Sequence, residues 1–326
     1  LFIFTKLLPF GYIKKQVIAP SSIIKHINMR KYLLAVMFFA FFSNVQAQES
    51  FLIYSLKGNV QVEENNKKAK AKIGDLLSNS AKLTLPANTT VTLICNQAGL
   101  ITINKAGNYL LSAYKDNCNE KPNSISSNYL KYVWTQLTQK PGTPEKNRKM
   151  FMNNVGAVSR NVNNVWIDPR LDTLYYTSGN FPLTWKSYAE ADDFEWMLFD
   201  SAKDSKPLFS ISTKNQFVNM DEISSQLQKG KNYYWTAAIK GQQNIERKVV
   251  KLWEKQNFEE LLKTLGAPED AYEHDAARYF RQAFLLEQAH FLAEAYNYYK
   301  KAVSLQPEME LYTATLKSFK KDYNIQ

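Results

Sequence analysis

The sequence predicts a multidomain chain that is mainly β, with an all-α part at its C-terminal end. Two patterns lead to this prediction. Apolar and polar residues alternate in short runs over residues 51–114 and 166–247, which is the period of half-buried strands. From residue 248 onward, apolar residues instead recur at helical spacing, without a proline between Lys248 and Ala267. We therefore expect two β units followed by a helical unit.

The first forty-odd residues are expected to lie outside the folded product. Met29 precedes two basic residues and an apolar run of about ten residues, and Ala47 supplies the small residue that suits signal peptidase. We predict a signal peptide over residues 29–47, cleaved before Gln48, and interpret residues 1–28 as an over-extended gene start. The open alternatives are a membrane anchor, for which the run has about half the required length, and a short cytoplasmic tail.

Charge and composition narrow the classes of partner. The whole chain carries a net charge of +11, but residues 1–47 hold six basic and no acidic residues, so the remaining 279 residues are near +5. Such a mild excess does not predict nucleic acid binding. No cysteine directly follows the apolar run, at the predicted cleavage site, so we expect a non-lipoprotein, exported to the periplasm or cell surface of a bacterium. No stable membrane span is expected after cleavage.

Residues 48–117 are predicted to form a small β module, because short alternating runs are separated by turn signals such as Gly58-Asn59 and Gly74-Asp75. The order of strands and turns resembles the periplasmic β module of FecR proteins over about sixty-five residues. The resemblance implies a β scaffold in the periplasm. Its residues are Gly58, Val60, Val62, Ile73, Gly74, Asp75, Leu83, Leu85, Val91, Leu93, Gly99, Ile101, Ile103, Gly107 and Tyr109.

Residues 118–165 are interpreted as a polar connector that contains one amphipathic helix. Tyr129, Leu130, Val133 and Leu137 recur at helical spacing, and Pro141 ends the pattern. We expect the apolar face of this helix to dock on a neighbouring unit.

Residues 166–247 are predicted to return to β structure. An early strand contains Pro182, Leu183 and Trp185, and a late one contains the run from Gly230 to Trp235 and continues to Ile239. These features resemble an immunoglobulin-like or fibronectin type III-like domain. The resemblance implies two packed sheets with aromatic side chains between them.

Residues 248–326 are predicted to be helical, with one sharper window from Ala276 to Pro307. Small residues recur where two antiparallel helices would touch, and large ones recur beside them. The window resembles one tetratricopeptide repeat, and the alternative is a generic helical hairpin. The matching positions are Tyr279, Ala283, Leu286, Ala295, Tyr299, Ala302 and Pro307.

Few residues in the sequence suggest chemistry. Beyond residue 47 there are two histidines, His274 and His290, and no catalytic or metal-binding motif, so we expect no catalytic residue, no metal site and no cofactor. Cys95 and Cys118 form an even pair in an oxidising compartment, which favours a structural disulfide. The alternatives are a redox-active thiol or two free thiols.

The favoured functional hypothesis is a non-enzymatic interaction or scaffold protein of the cell envelope. It would bind a protein or an envelope polymer through its β modules and its repeat-like helices. The alternative for the helices is that they bind no ligand and only cap the β structure. A hydrolase acting on envelope carbohydrate, with carboxylates from Glu190, Asp192 and Asp193, remains an alternative. A periplasmic signalling partner of a FecR-type system is another.

The basic run of residues 67–72 is interpreted as a solvated hairpin or a surface for an anionic polymer.

Overall fold

The structure is a computed structural model. It describes residues 50–97, 99–119, 127–138, 148, 150–152, 164–266 and 272–325. Gln48–Gln326 form one compact unit. The predicted gene-start segment, the signal peptide and its cleavage site at Ala47 and Gln48 lie outside the described residues. In the part of the chain that is described, no helix combines the length and the apolar character that crossing a bilayer requires.

The first β unit consists of two four-stranded antiparallel sheets with the strand orders β4-β1-β6-β7 and β3-β2-β5-β8. Side chains of alternate residues meet between the sheets in a separate apolar core. Asn65 and Asn66 have φ angles of 52° and 60°, as required by the tight turn that joins β2 to β3. The strands are β1 (Ser50–Lys57), β2 (Gln61–Glu64), β3 (Lys67–Lys70), β4 (Leu76–Ser78), β5 (Lys82–Leu85), β6 (Thr90–Cys95), β7 (Gly99–Ile103) and β8 (Gly107–Leu110).

The second β unit consists of a five-stranded sheet, ordered β10-β16-β15-β12-β13, and a three-stranded sheet, ordered β14-β11-β9. Strands β10 and β16 run parallel, and the other pairs are antiparallel. Trp185, Trp196 and Trp235 are buried in the core of this unit. The strands are β9 (Val165–Ile167), β10 (Thr173–Tyr176), β11 (Pro182–Ser187), β12 (Phe194–Phe199), β13 (Phe209–Thr213), β14 (Phe217–Asn219), β15 (Asn232–Ile239) and β16 (Lys248–Leu252).

The helices lie mostly at the C-terminal end, so the coarse prediction of β sheets followed by helices is confirmed. Helix α1 comes from the connector between the β units, and α2 is a single turn inside the second unit. Among the described residues the helices are α1 (Ser127–Thr138), α2 (Met220–Ile223), α3 (Lys255–Thr264), α4 (Asp275–Gln288), α5 (Leu292–Leu305) and α6 (Glu310–Asp322).

The helical prediction was wrong over residues 248–252, which form the strand β16. Val249 and Val250 are β-branched, and this strand lies between β10 and β15 in the five-stranded sheet. Tertiary pairing therefore overrides the helical spacing that begins at Val250. Helix begins only at Lys255.

Helix α1 docks its apolar face on the C-terminal helices. The ring of Tyr132 stacks on Phe284 with 4.9 Å between centroids, and Tyr129 meets Phe284 edge-on at 5.5 Å. Tyr132 also shares a hydrogen bond with the hydroxyl of Thr315 on α6, at 2.7 Å. The helical layer is thus assembled from two distant parts of the chain.

A buried tyrosine connects the first β unit to the helices. Tyr54 on β1 donates a hydrogen bond to Glu273 over 2.6 Å, and Arg281 pairs with the same carboxylate at 2.9 Å. Burial, and then the charge of Glu273, raises the pKa of Tyr54 well above its ordinary value, so this hydroxyl keeps its proton. The hydroxyl of Tyr129 lies 3.0 Å away and donates to Tyr54 in turn.

A buried charge cluster holds α4 and α6 together. The guanidinium of Arg148 contacts Glu287 on α4 and Asp322 on α6, and these three side chains are at most 2% exposed. Tyr299 donates a hydrogen bond to Glu287 at 3.0 Å. Arg170, from the turn before β10, also reaches Asp322, at 2.9 Å. The two carboxylates are therefore neutralised inside the protein.

We expect Arg148→Ala to lower the free energy of unfolding by about 3–5 kcal/mol, because two buried carboxylates lose their main counter-charge. The triple variant Arg148→Met/Glu287→Gln/Asp322→Asn, which removes all three charges together, should recover much of that loss. Urea denaturation followed by circular dichroism measures both effects. Equal stabilities of the wild type and Arg148→Ala would contradict the role given to this cluster.

Cys95 and Cys118 form a disulfide in the structure, with 5.2 Å between their Cα atoms. The bond ties the end of β6 to a short 3₁₀ helix, Asp116–Asn119. Gly99 allows this close approach, because a Cβ there would lie 2.7 Å from the carbonyl oxygen of Cys118.

The double variant Cys95→Ala/Cys118→Ala should lose about 3 kcal/mol of unfolding free energy, since the bridge closes a loop of medium length in the unfolded chain. The wild type under reducing conditions is the matched control and should lose a similar amount. An unchanged denaturation midpoint in both would show that the bridge adds no stability.

Candidate functional site

The residues of the repeat-like window lie mainly at the contact between α4 and α5. Tyr279 is half-buried there, and Pro307 is exposed just after α5. The remaining positions face the protein interior and are not open to a ligand. These fully buried residues are Ala283, Leu286, Ala295, Tyr299 and Ala302.

The α4–α5 hairpin closes an open edge of the five-stranded sheet. The backbone N–H of Tyr175 on β10 donates to the carbonyl oxygen of His290, in the turn between the helices, at 3.0 Å. Glu294 Oε1, in the first turn of α5, accepts from the N–H groups of Thr177 and Ser178 at 2.6 and 3.2 Å. An uncovered edge strand would leave such groups unpaired. The hairpin therefore completes the sandwich.

Glu294 is only 4% exposed, and burial raises the pKa of its carboxyl despite the hydrogen bonds from Thr177 and Ser178. Its second oxygen, Oε2, has no hydrogen-bond partner among the described residues. Ionisation of this group is therefore disfavoured in the folded state.

The free energy of unfolding of the wild type should fall as the pH rises from the ordinary glutamate pKa, about 4.3, through the raised pKa of Glu294. The reason is that ionising this carboxyl costs more in the folded protein than in the unfolded chain. Glu294→Gln stays neutral and keeps an acceptor, so it should gain on the wild type as the pH rises. Glu294→Ala should lose about 1–3 kcal/mol through the unpaired N–H groups. Urea titrations across this pH range test both, and a Gln variant that follows the wild type at every pH would contradict the expectation.

The first of two grooves, the Trp253 groove, lies between the second β unit and α3. Its volume is about 610 Å³. The ring of Trp253 rests on Phe291 with 5.0 Å between centroids, and the rim lysines are paired, Lys229 with Glu254 and Lys255 with Glu259. The lining residues are Tyr176, Thr177, Ser178, Gly179, Ser224, Ser225, Lys229, Leu252, Trp253, Lys255, Phe258, Glu259 and Leu262.

The second groove, the Asn324 groove, consists of two cavities of about 190 and 410 Å³ that share Asn324. Its floor is the outer face of the sheet β14-β11-β9, and its far side is the end of α6 with α5. The smaller cavity is lined by Trp166, Asp168, Arg170, Thr184, Trp185, Lys186, Lys321, Asp322 and Asn324. The larger one is lined by Asn180, Pro182, Phe217, Asn219, Tyr296, Asn297, Lys300, Asn324 and Ile325.

The position of Asn324 follows from the way α6 ends. Its φ is 52°, a left-handed conformation that asparagine tolerates, and the N–H of Ile325 returns to the carbonyl oxygen of Lys320 at 2.9 Å. This C-terminal cap places Asn324 beside residues of β11 in both cavities.

Two lysines at the Asn324 groove are held beside aromatic rings. The ammonium of Lys186 lies 5.7 Å from the ring centre of Trp166, and that of Lys300 lies 4.4 Å from the ring centre of Tyr296. In contrast, Arg170 is neutralised by acidic neighbours. Within the described part of the chain neither lysine forms an ion pair, so the groove has an excess of positive charge.

The other residues singled out in the sequence lie outside both grooves. Glu190, Asp192 and Asp193 are exposed on the loop between β11 and β12. His274 caps α4 by accepting from the N–H of Ala277 at 3.2 Å. The basic run forms the exposed edge strand β3, Lys67–Lys70. No cluster of three or more metal-binding side chains occurs in the described ranges.

Sequence reasoning missed the Asn324 groove. Its asparagines come from a loop, a strand, α5 and the chain end, so no local spacing connects them.

No protein-family model matches this chain, and no curated protein is significantly similar to it. The two grooves and the residues that line them are therefore the basis for a functional proposal.

Proposed function

We propose that this chain is an exported, non-enzymatic binding protein of the bacterial cell envelope, acting as a scaffold that recognises a protein or an envelope polymer. One observation carries the proposal. The α4–α5 hairpin has a structural role, because buried side chains fill the contact between its helices and its turn hydrogen-bonds to the edge strand β10. Among the described residues, two grooves between helices and β structure are open to a ligand. Concave surfaces at such junctions are where ligands commonly bind.

The proposed modules are a FecR-like β module, an immunoglobulin-like sandwich and one tetratricopeptide-like repeat. The two four-stranded sheets of the first unit are consistent with the first module. The ring of Trp196 stacked on Trp235, 6.2 Å away, is consistent with the second. The small residues Ala283, Ala295 and Ala302 at the helix contact support the third.

Export to the periplasm or cell surface is part of the proposal. It is supported by the apolar run after Met29 and by the disulfide between Cys95 and Cys118, a bond typical of oxidising compartments.

Expression in a bacterial host with the chain's own leader should yield a periplasmic product that begins at Gln48. Ala47→Arg should block processing, because signal peptidase requires a small residue at that position. Intact-mass measurement distinguishes the two forms. A wild-type product that retains its leader in the cytoplasm would contradict the export proposal.

Binding through the grooves is tested by placing a photoreactive amino acid at Ser225 in the Trp253 groove or at Asn297 in the Asn324 groove. Lys240, exposed at the end of β15, serves as the matched control position. We expect an envelope component to be captured from at least one groove and not from Lys240. Equal capture at all three positions, or turnover of an envelope polymer that one polar substitution abolishes, would contradict a binding protein.

A further inference from the structure

Amide side chains line part of the Asn324 groove. Asn180, Asn297 and Asn324 line its larger cavity, and none of these three amides hydrogen-bonds to another described residue. Each amide offers both a donor and an acceptor. Hydroxyl groups also do both, so neighbouring hydroxyls on a sugar ring match such a surface.

The two lysines add charge at separate parts of the same groove. Lys186 lines the sheet side next to Trp166, whereas Lys300 stands on α5 in the larger cavity. The ring of Tyr296 is itself held against Phe319, stacked at an interplanar angle of 3°. Each of the two cavities that share Asn324 is therefore lined by one lysine held beside an aromatic ring.

We propose that the Asn324 groove binds a linear acidic glycan, whose carboxylates meet Lys186 and Lys300 and whose hydroxyls bond to the amides of the larger cavity. The inference rests on the proposed binding function and specifies its ligand. Two cavities that meet at Asn324 suit a ligand with repeating units. Lysines without an acidic partner among the described residues favour a ligand that brings negative charge.

The test uses the chain from Gln48 in calorimetric titrations with short oligomers of galacturonate and of mannuronate, each beside its methyl ester. The acid form of at least one oligomer should bind, and its ester should bind at least about tenfold more weakly. Added salt should weaken the acid form, since exposed charges are screened.

Three variants locate the binding. Lys186→Gln/Lys300→Gln should weaken binding about tenfold or more. Asn324→Gly removes one amide while keeping a residue that readily adopts positive φ, so binding should fall with the fold intact. Lys105→Gln/Lys240→Gln removes the same charge from exposed positions elsewhere and should bind like the wild type.

Four results would overturn the proposal: no acid oligomer binds, the ester binds equally, the control double variant weakens as much as the groove variant, or hexaglutamate binds more tightly. The last would make the groove an acidic-peptide site. Capture at Asn297 that persists in Lys186→Gln/Lys300→Gln would leave the binding function standing and remove only the glycan assignment. If the otherwise wild-type protein captures no envelope component at either groove position, both the binding function and the glycan assignment are contradicted.

Discussion

The arrangement of the helices on the sandwich depends on two carboxylates, Glu287 and Asp322, that are neutralised in the interior. Ionised groups at such depth are tolerated only with close counter-charges. Arg148 supplies the charge from the connector, and Arg170 adds a second contact from the sandwich. The cluster thus fixes where α6 ends, and Asn324 lies two residues beyond it. The geometry of the groove is set by an electrostatic requirement of the core.

The repeat-like helices behave as part of one body and not as a separate module. Most buried side chains of the second β unit and of the helices belong to one continuous apolar core. Tyr54 and Glu273 connect the first β unit to the same helices. A helix pair that closes a sheet edge with its own turn, at His290, has little concave surface of its own left. Recognition is then expected where helices and sheets meet.

The sequence predicted the coarse fold well where a pattern was long. Helices α4 to α6 each span more than three turns, so their period is unambiguous. The pattern failed over the five residues of β16, because a segment that short fits either period and its partners, β10 and β15, are set by tertiary pairing. The Asn324 groove was beyond reach for a related reason. Asn180 and Asn324 are neighbours only after the whole chain has folded.

Helix α1 is made well before the helices on which it docks. Until α4 emerges, the rings of Tyr129 and Tyr132 lack Phe284, the ring against which both pack. A nascent or translocating chain therefore carries a partly uncovered aromatic stripe until its C-terminal helices are made. Such a stripe is a natural recognition site for a holding chaperone and a point of risk for aggregation. Covering this stripe therefore depends on residues that are made last.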